Sequence, residues 1–152
     1  MAEALHVLYI EDDPQMVRLV SEAFSECSIP IQVHGVTTWT EAQAFLTGAE
    51  PYPDASAPGL VLLDKELGTE SGLDLILPLR DHLAAATPIV IFTGAYEQAD
   101  VDLAYARGAN AYIQKPDNFD ALVTFAKGAA TLWQRTAADV TSESSSQQPR
   151  HP

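Results

Sequence analysis

The chain has 152 residues, enough for one domain and a short tail, and 47% of them are hydrophobic, enough for an ordinary core. Its 8 basic and 21 acidic residues leave a formal net charge of −13, and its three lysines form no basic run, which argues against direct nucleic-acid binding. No segment approaches the roughly 18 apolar residues of a membrane span, the four histidines lack zinc-ligand spacing, and the single cysteine, Cys27, has no internal disulfide partner.

Strand and helix signals alternate five times along the chain. Leu5–Ile10 is a mostly apolar run that leads straight into Glu11, Asp12 and Asp13. Pro14 suits a first helical turn, and Val17, Val20, Phe24 and Cys27 then recur at helical spacing, with Cys27 read as a small core residue. A second strand is predicted over Ile31–Val36. Thr38 and Glu41 have capping-box spacing ahead of Ala42, Phe45 and Leu46. Residues 47–58 are rich in Pro, Gly and Ala and read as an enlarged surface loop.

The third strand, Leu60–Leu63, is apolar throughout and ends at Asp64. A helix is predicted from about Ser71 to Leu83. A fourth strand, Ile89–Phe92, runs into Thr93, and a helix follows from about Glu97 to Arg107, stopped by Gly108. The fifth strand, Ala111–Ile113, leads to Lys115 and Pro116. A last helix places Phe119, Leu122, Ala126, Ala129 and Trp133 on one stripe. From about Ala137 the composition turns to Ser, Gln, Thr and Pro without apolar periodicity, so residues 1–136 are expected to fold and 137–152 to form a disordered tail.

Short continuous apolar runs suit strands covered on both faces. The alternating order therefore predicts an α/β fold, a flavodoxin-like doubly wound (βα)5 with a five-stranded parallel sheet in the order 2-1-3-4-5. In such a sheet the strands open on one edge, where ligands bind. Glu11, Asp12 and Asp64 should then converge there, with Thr93 and Lys115 nearby. Carboxylates about 4 Å apart repel by roughly 4 kcal/mol per pair at an effective dielectric near 20. A hard cation with oxygen ligands relieves that repulsion, and Mg²⁺, which takes one or two carboxylates and a phosphate oxygen, suits the set. A cation there would also shield an incoming phosphoryl group from Asp64, while Thr93 and Lys115 could hold its oxygens.

These residues resemble a known family, the receiver domains of two-component response regulators. The resemblance is carried by LHVLYIEDDP (5–14), GLVLLDKELGTESG (59–72), PIVIFTG (88–94) and ANAYIQKP (109–116), in the family's order and spacing, and covers about residues 4–135. It implies a stand-alone receiver rather than an enzyme, with Asp64 as the phospho-acceptor. Asp12 would ligate Mg²⁺ directly, Glu11 through water, and Glu66 through its backbone carbonyl. Thr93 would be the switch hydroxyl, Lys115 the family's lysine, and Tyr112 the aromatic that turns inward on activation. The bond before Pro116 is typically cis in the family. Gly68 stands where the family usually has Pro. Glu66 and Ala95 occupy positions that tune how fast the phosphate is lost.

The implied partners are a sensor histidine kinase and a downstream protein target, in the cytoplasm. The long loop and Ser-rich tail suggest a phytochrome-type kinase. The face made by the fourth helix, fifth strand and fifth helix is a candidate homodimer or partner surface. Two other classes stay open, a pseudo-receiver that binds partners without phosphorylation, and an Asp-nucleophile phosphatase, although the Asp-x-Asp signature of the latter is absent. Asp13, Trp39 and Lys65 read as surface or packing residues.

Overall fold

The computed structural model describes residues 4–146. In chain order its elements are β1 (Leu5–Ile10), α1 (Pro14–Ser25), β2 (Ile31–Val36), α2 (Trp39–Thr47), β3 (Leu60–Leu63), the two-residue strands β4 (Glu66–Leu67) and β5 (Glu70–Ser71), a 3-10 turn (Gly72–Leu75) leading into α3 (Ile76–His82), β6 (Ile89–Thr93), α4 (Gln98–Ala106), β7 (Ala111–Gln114) and α5 (Phe119–Ser146). The main sheet is parallel, in the order β2-β1-β3-β6-β7. Because β4 and β5 pair only with each other as an antiparallel hairpin, this is the predicted 2-1-3-4-5 order, and the fold is a flavodoxin-like doubly wound α/β sheet.

The sheet alternation sorts the apolar runs into two cores. Leu8, Ile10, Val61, Leu63, Ile89 and Ile91 face α2, α3 and α4. Leu5, Val7, Tyr9, Leu62, Val90 and Phe92 face α1 and α5. Side chains on a strand alternate faces, so each run needs apolar residues at every position.

Local chemistry sets the helix starts. Asp13 caps α1 by accepting from the Gln15 N–H at 3.0 Å, with Pro14 in the first turn, where its missing N–H costs nothing. Thr38 caps α2, and Glu41, which donates its own N–H to Thr38, reaches back to accept from the Thr37 N–H at 3.1 Å. Gly48 ends α2 with φ +71°, a conformation that favours glycine.

At the amino-terminal edge of the sheet, the Arg80 guanidinium binds the Thr87 carbonyl at 2.7 Å, the Gly108 carbonyl at 3.0 and 3.2 Å, and the Asn110 side chain. Asn110 in turn accepts from the Ile89 N–H at 2.9 Å. One planar fork thus ties α3 to the loops that precede β6 and β7.

Three details depart from the sequence expectation. Helix α5 continues to Ser146, where disorder was expected from residue 137; Ala137, Ala138 and Glu143 favour helix, and extending a formed helix costs far less than nucleating one. The remaining tail residues lie outside those described. The bond before Pro116 is not cis. Among the described residues the cis bond precedes Pro51, in the long loop. Trans is the intrinsic preference for X-Pro by about 0.5–1 kcal/mol, and only tertiary context reverses it. The third helix begins as a 3-10 turn, after a hairpin too short to leave a period in the sequence.

Candidate phosphoryl-acceptor site

The carboxyl ends of β1, β3, β6 and β7 meet at one rim, held by main-chain bonds. Glu11 N–H donates to Val36 O at 2.9 Å, Asp64 N–H to Ile10 O at 3.0 Å, and Lys115 N–H to Thr93 O at 2.7 Å. The ladder therefore places the side chains before any ligand arrives. One carboxylate oxygen from each of Glu11, Asp12 and Asp64 lies within 4.8 Å of the others. Glu11 and Asp64 are buried, at 2% and 5% exposure, whereas Asp12 is open to solvent.

Lys115 bridges the two buried acids. Its Nζ lies 2.5 Å from Glu11 Oε1 and 3.0 Å from Asp64 Oδ2. Burial alone would lower the lysine's proton affinity, but the two carboxylates outweigh it and hold Lys115 above its usual range. Burial pushes Glu11 up to about 7; the Lys115 bond pulls it down, and Asp64 pushes it further up. Glu11 also accepts from the Tyr9 hydroxyl at 2.9 Å and the Asp13 N–H at 3.3 Å. A carboxylate taken out of water needs such donors.

Thr93 is fully buried, and its Oγ1 is the one buried side-chain polar atom without a hydrogen-bond partner among the described residues. A buried hydroxyl left unpaired costs about 1–3 kcal/mol, a penalty that an oxygen-bearing ligand at the rim would remove. Tyr112 is buried at 7% exposure; its hydroxyl donates to the Ala95 carbonyl at 3.0 Å, and its ring meets Tyr96 edge-on at 5.7 Å. The aromatic thus lies inward, against the loop after β6.

Glu66 opens β4 with an exposed side chain and touches Asp64 through its backbone, donating its N–H to Asp64 Oδ1 at 3.0 Å. Gly68, where the receiver resemblance leads one to expect Pro, has φ +66°. Proline is locked near −65°, so this hairpin turn excludes it.

Sequence reasoning missed two residues here. Lys65 is no surface bystander. Its Nζ pairs with Asp100 at 2.8 Å and Glu97 at 3.4 Å, joining the loop after β3 to the start of α4, and the Asp100 bond raises its proton affinity further. Tyr9 was read only as part of an apolar strand. Its signal was present: a polar-tipped aromatic in a buried run, two residues before an acid and so on the same face. Trp39 does serve packing, and its N–H is also capped by Glu70 of the hairpin at 3.2 Å.

This donor set fits a hard divalent cation. All the ligand atoms are carboxylate oxygens, they converge on a partly open rim, and a buried hydroxyl beside them lacks a partner. Sheet order and rim chemistry together define a receiver. The family model described as "Response regulator receiver domain" matches residues 7–127, and the chain belongs to that family, the receivers of two-component systems. Among curated proteins it is similar to the response regulator Rcp1 of Synechocystis sp., at 26% identity over 131 residues, 86% of this chain and 89% of Rcp1. Against the transcriptional regulatory protein KdpE of Staphylococcus aureus it is 32% identical over 116 residues, 76% of this chain but 46% of KdpE, so it spans about half of that relative. Among solved structures it is similar to the phosphorylated cyanobacterial phytochrome response regulator RcpA, with a TM-score of 0.77 and 28% identity over 88% of this chain and 96% of that one. The Mn²⁺-bound form of Rcp1 gives 0.72 and 26% identity, over 85% and 94%.

Proposed function

We propose that Asp64 accepts a phosphoryl group from the phosphohistidine of a sensor histidine kinase. The observation that carries this is the convergence of three carboxylates within 4.8 Å beside a shared lysine and an unpartnered threonine hydroxyl. Asp12 and Asp64 would hold Mg²⁺ directly, Glu11 through water and Glu66 through its carbonyl. Bound there, the cation supplies positive charge that lets two anions approach.

An Asp64 carboxylate oxygen forms the new bond to phosphorus as the P–N bond to the donor histidine breaks, and the released imidazole nitrogen keeps the electron pair and takes up a proton. Lys115 stabilises the charge on the transferred group. Thr93 Oγ1 gains its missing partner in a phosphoryl oxygen. Tyr112, already packed inward against Ala95, then fixes the loop after β6 in one arrangement. The signal leaves as altered contacts on the face of α4, β7 and α5 with a downstream protein or a second copy, in the cytoplasm and without enzymatic turnover of a substrate. The likeness to RcpA, a cyanobacterial phytochrome response regulator, supports a phytochrome-type kinase as the donor. The phosphate lifetime is set next to Glu66, Gly68 and Ala95.

The test is intact mass after incubation with Mg²⁺ and acetyl phosphate. Wild type is expected to gain one phosphate and Asp64→Asn none. Equal gain in both would place the acceptor elsewhere, no gain in wild type would favour a pseudo-receiver, and steady hydrolysis of added phosphomonoesters would favour a phosphatase.

A further inference from the structure

We propose that Tyr9 is a positioning residue of the metal site: its buried hydroxyl anchors the Glu11 carboxylate, so that Lys115 is free to leave Glu11 for the phosphoryl group. The inference rests on the acceptor reading of Asp64 and concerns a residue behind the rim, inside the core.

Tyr9 and Glu11 are two apart on the same extended segment, and so point to the same face. Tyr9 is fully buried, and its hydroxyl donates to Glu11 Oε1 at 2.9 Å. The ring cannot easily move. It meets Phe92 edge-on at 6.0 Å, Phe92 stacks on Phe125 at 4.8 Å, and Phe125 meets Phe24 at 6.4 Å. This aromatic row joins β1, β6, α5 and α1, so the hydroxyl is held by four elements of the core. A phenol needs a polar partner when buried, and here that partner is an acid of the rim.

The other donors to Glu11 differ in kind. The Asp13 N–H is longer, at 3.3 Å. The Lys115 ammonium is shared with Asp64, and a phosphoryl group on Asp64 would add oxygens and negative charge on that side. As Lys115 turns to that group, Glu11 loses its strongest donor. Without Tyr9 the buried carboxylate would be held only by the shared ammonium and the longer Asp13 bond. Its contribution to the metal's water shell would weaken already in the unphosphorylated chain and fall further as Lys115 turns away. With Tyr9 in place, the carboxylate keeps one fixed oxygen and presents the other. Partners of this kind that orient a metal site typically account for 10–100-fold in metal affinity.

On the unphosphorylated full chain, Tyr9→Phe is expected to raise the dissociation constant for Mg²⁺ about tenfold, measured by calorimetry at about pH 8, where carboxylates are ionised. The Mg²⁺ concentration for half-maximal phosphorylation by acetyl phosphate should rise by the same factor, while the rate at saturating Mg²⁺ stays near wild type. A lowered melting temperature with an unchanged Mg²⁺ constant would overturn the proposal and leave Tyr9 as core alone. Should Tyr9→Phe fold poorly, 4-fluorophenylalanine at position 9 fills the hydroxyl's space without a donor and is expected to weaken Mg²⁺ by the same factor. A chain that binds Mg²⁺ but takes no phosphate would sink the acceptor reading, and the calorimetric comparison would still decide the role of Tyr9.

Discussion

Lys115→Met should lower the melting temperature of the metal-free chain by roughly 6–12 °C at about pH 8, and saturating Mg²⁺ should restore most of the loss. Lys115 is the only cation bonded to the buried carboxylates of Glu11 and Asp64 among the described residues. Removing one partner of a buried pair costs about 3–5 kcal/mol, because the remaining charge is left uncompensated. With 16% of the lysine side chain exposed, the lower end applies, and each kcal/mol is worth about 2–4 °C in a domain of this size. Mg²⁺ rescues because it returns positive charge to the same carboxylates.

The deficit should also depend on pH. Burial raises Glu11 from 4.5 to about 7 in the folded chain, so folding favours its neutral form. Its ionisation takes stability away as pH rises through that window, and a proton gives it back as pH falls. The gap between Lys115→Met and wild type should therefore narrow as pH falls through about 7 toward 4.5. Thermal melts at two pH values, with and without Mg²⁺, check this. Superimposable melts of the two proteins in metal-free buffer at the higher pH would show that the lysine does not compensate the acids.

The second large effect is steric. Gly72→Ala should slow phosphorylation by acetyl phosphate by on the order of a hundredfold, the cost of misplacing a reacting group by about 1 Å. A Cβ at position 72 would sit 1.9 Å from the Asp64 carbonyl oxygen, 2.8 Å from its carbon and 3.1 Å from Lys65 Cα. These are backbone atoms and cannot rotate aside. The Gly72 N–H also donates to Lys65 O at 2.7 Å, so the close approach is part of how the acceptor loop closes. Opening the loop to accept a methyl group must shift Asp64 itself. Gly68→Ala is the control. The atom nearest to its Cβ would be Asp12 Oδ2, at 3.8 Å, leaving only the left-handed backbone cost of about 1–2 kcal/mol. Wild-type phosphorylation kinetics in Gly72→Ala, followed by mass spectrometry, would refute the clash.

Much of this architecture was legible in the residues. Leu60–Leu63 and Ile89–Phe92 announce themselves because strands covered on both faces leave no polar position. Glu11, Asp12, Asp64, Thr93 and Lys115 could be grouped because a parallel sheet delivers every strand end to one rim. What stayed hidden depends on contacts between distant segments. Nothing near Lys65 in sequence indicates that Asp100, 35 residues on, will meet its ammonium. Nothing near Gly72 indicates that a main-chain carbonyl will fill the space of its side chain. The hairpin at 66–71 is too short to carry a period, and the helix beyond 136 follows from extending α5 rather than from an apolar stripe.

The two ends of α4 are fastened by unlike means. Near its carboxyl end, Arg107 bonds the Leu73 carbonyl at 2.7 Å, and the Arg80 fork holds the Gly108 carbonyl. At its amino end, beside the loop that carries Asp64, the ammonium of Lys65 faces Asp100 and the largely exposed Glu97. Guanidinium forks grip several oxygens in a plane, whereas an ammonium is a point contact on a flexible stem. The helix is thus tied by carbonyl-gripping forks at 107–108, and by one flexible stem at its start, over the loop that carries Asp64. A change at Lys65 is therefore felt first at Asp100 and Glu97, the two acids its ammonium holds.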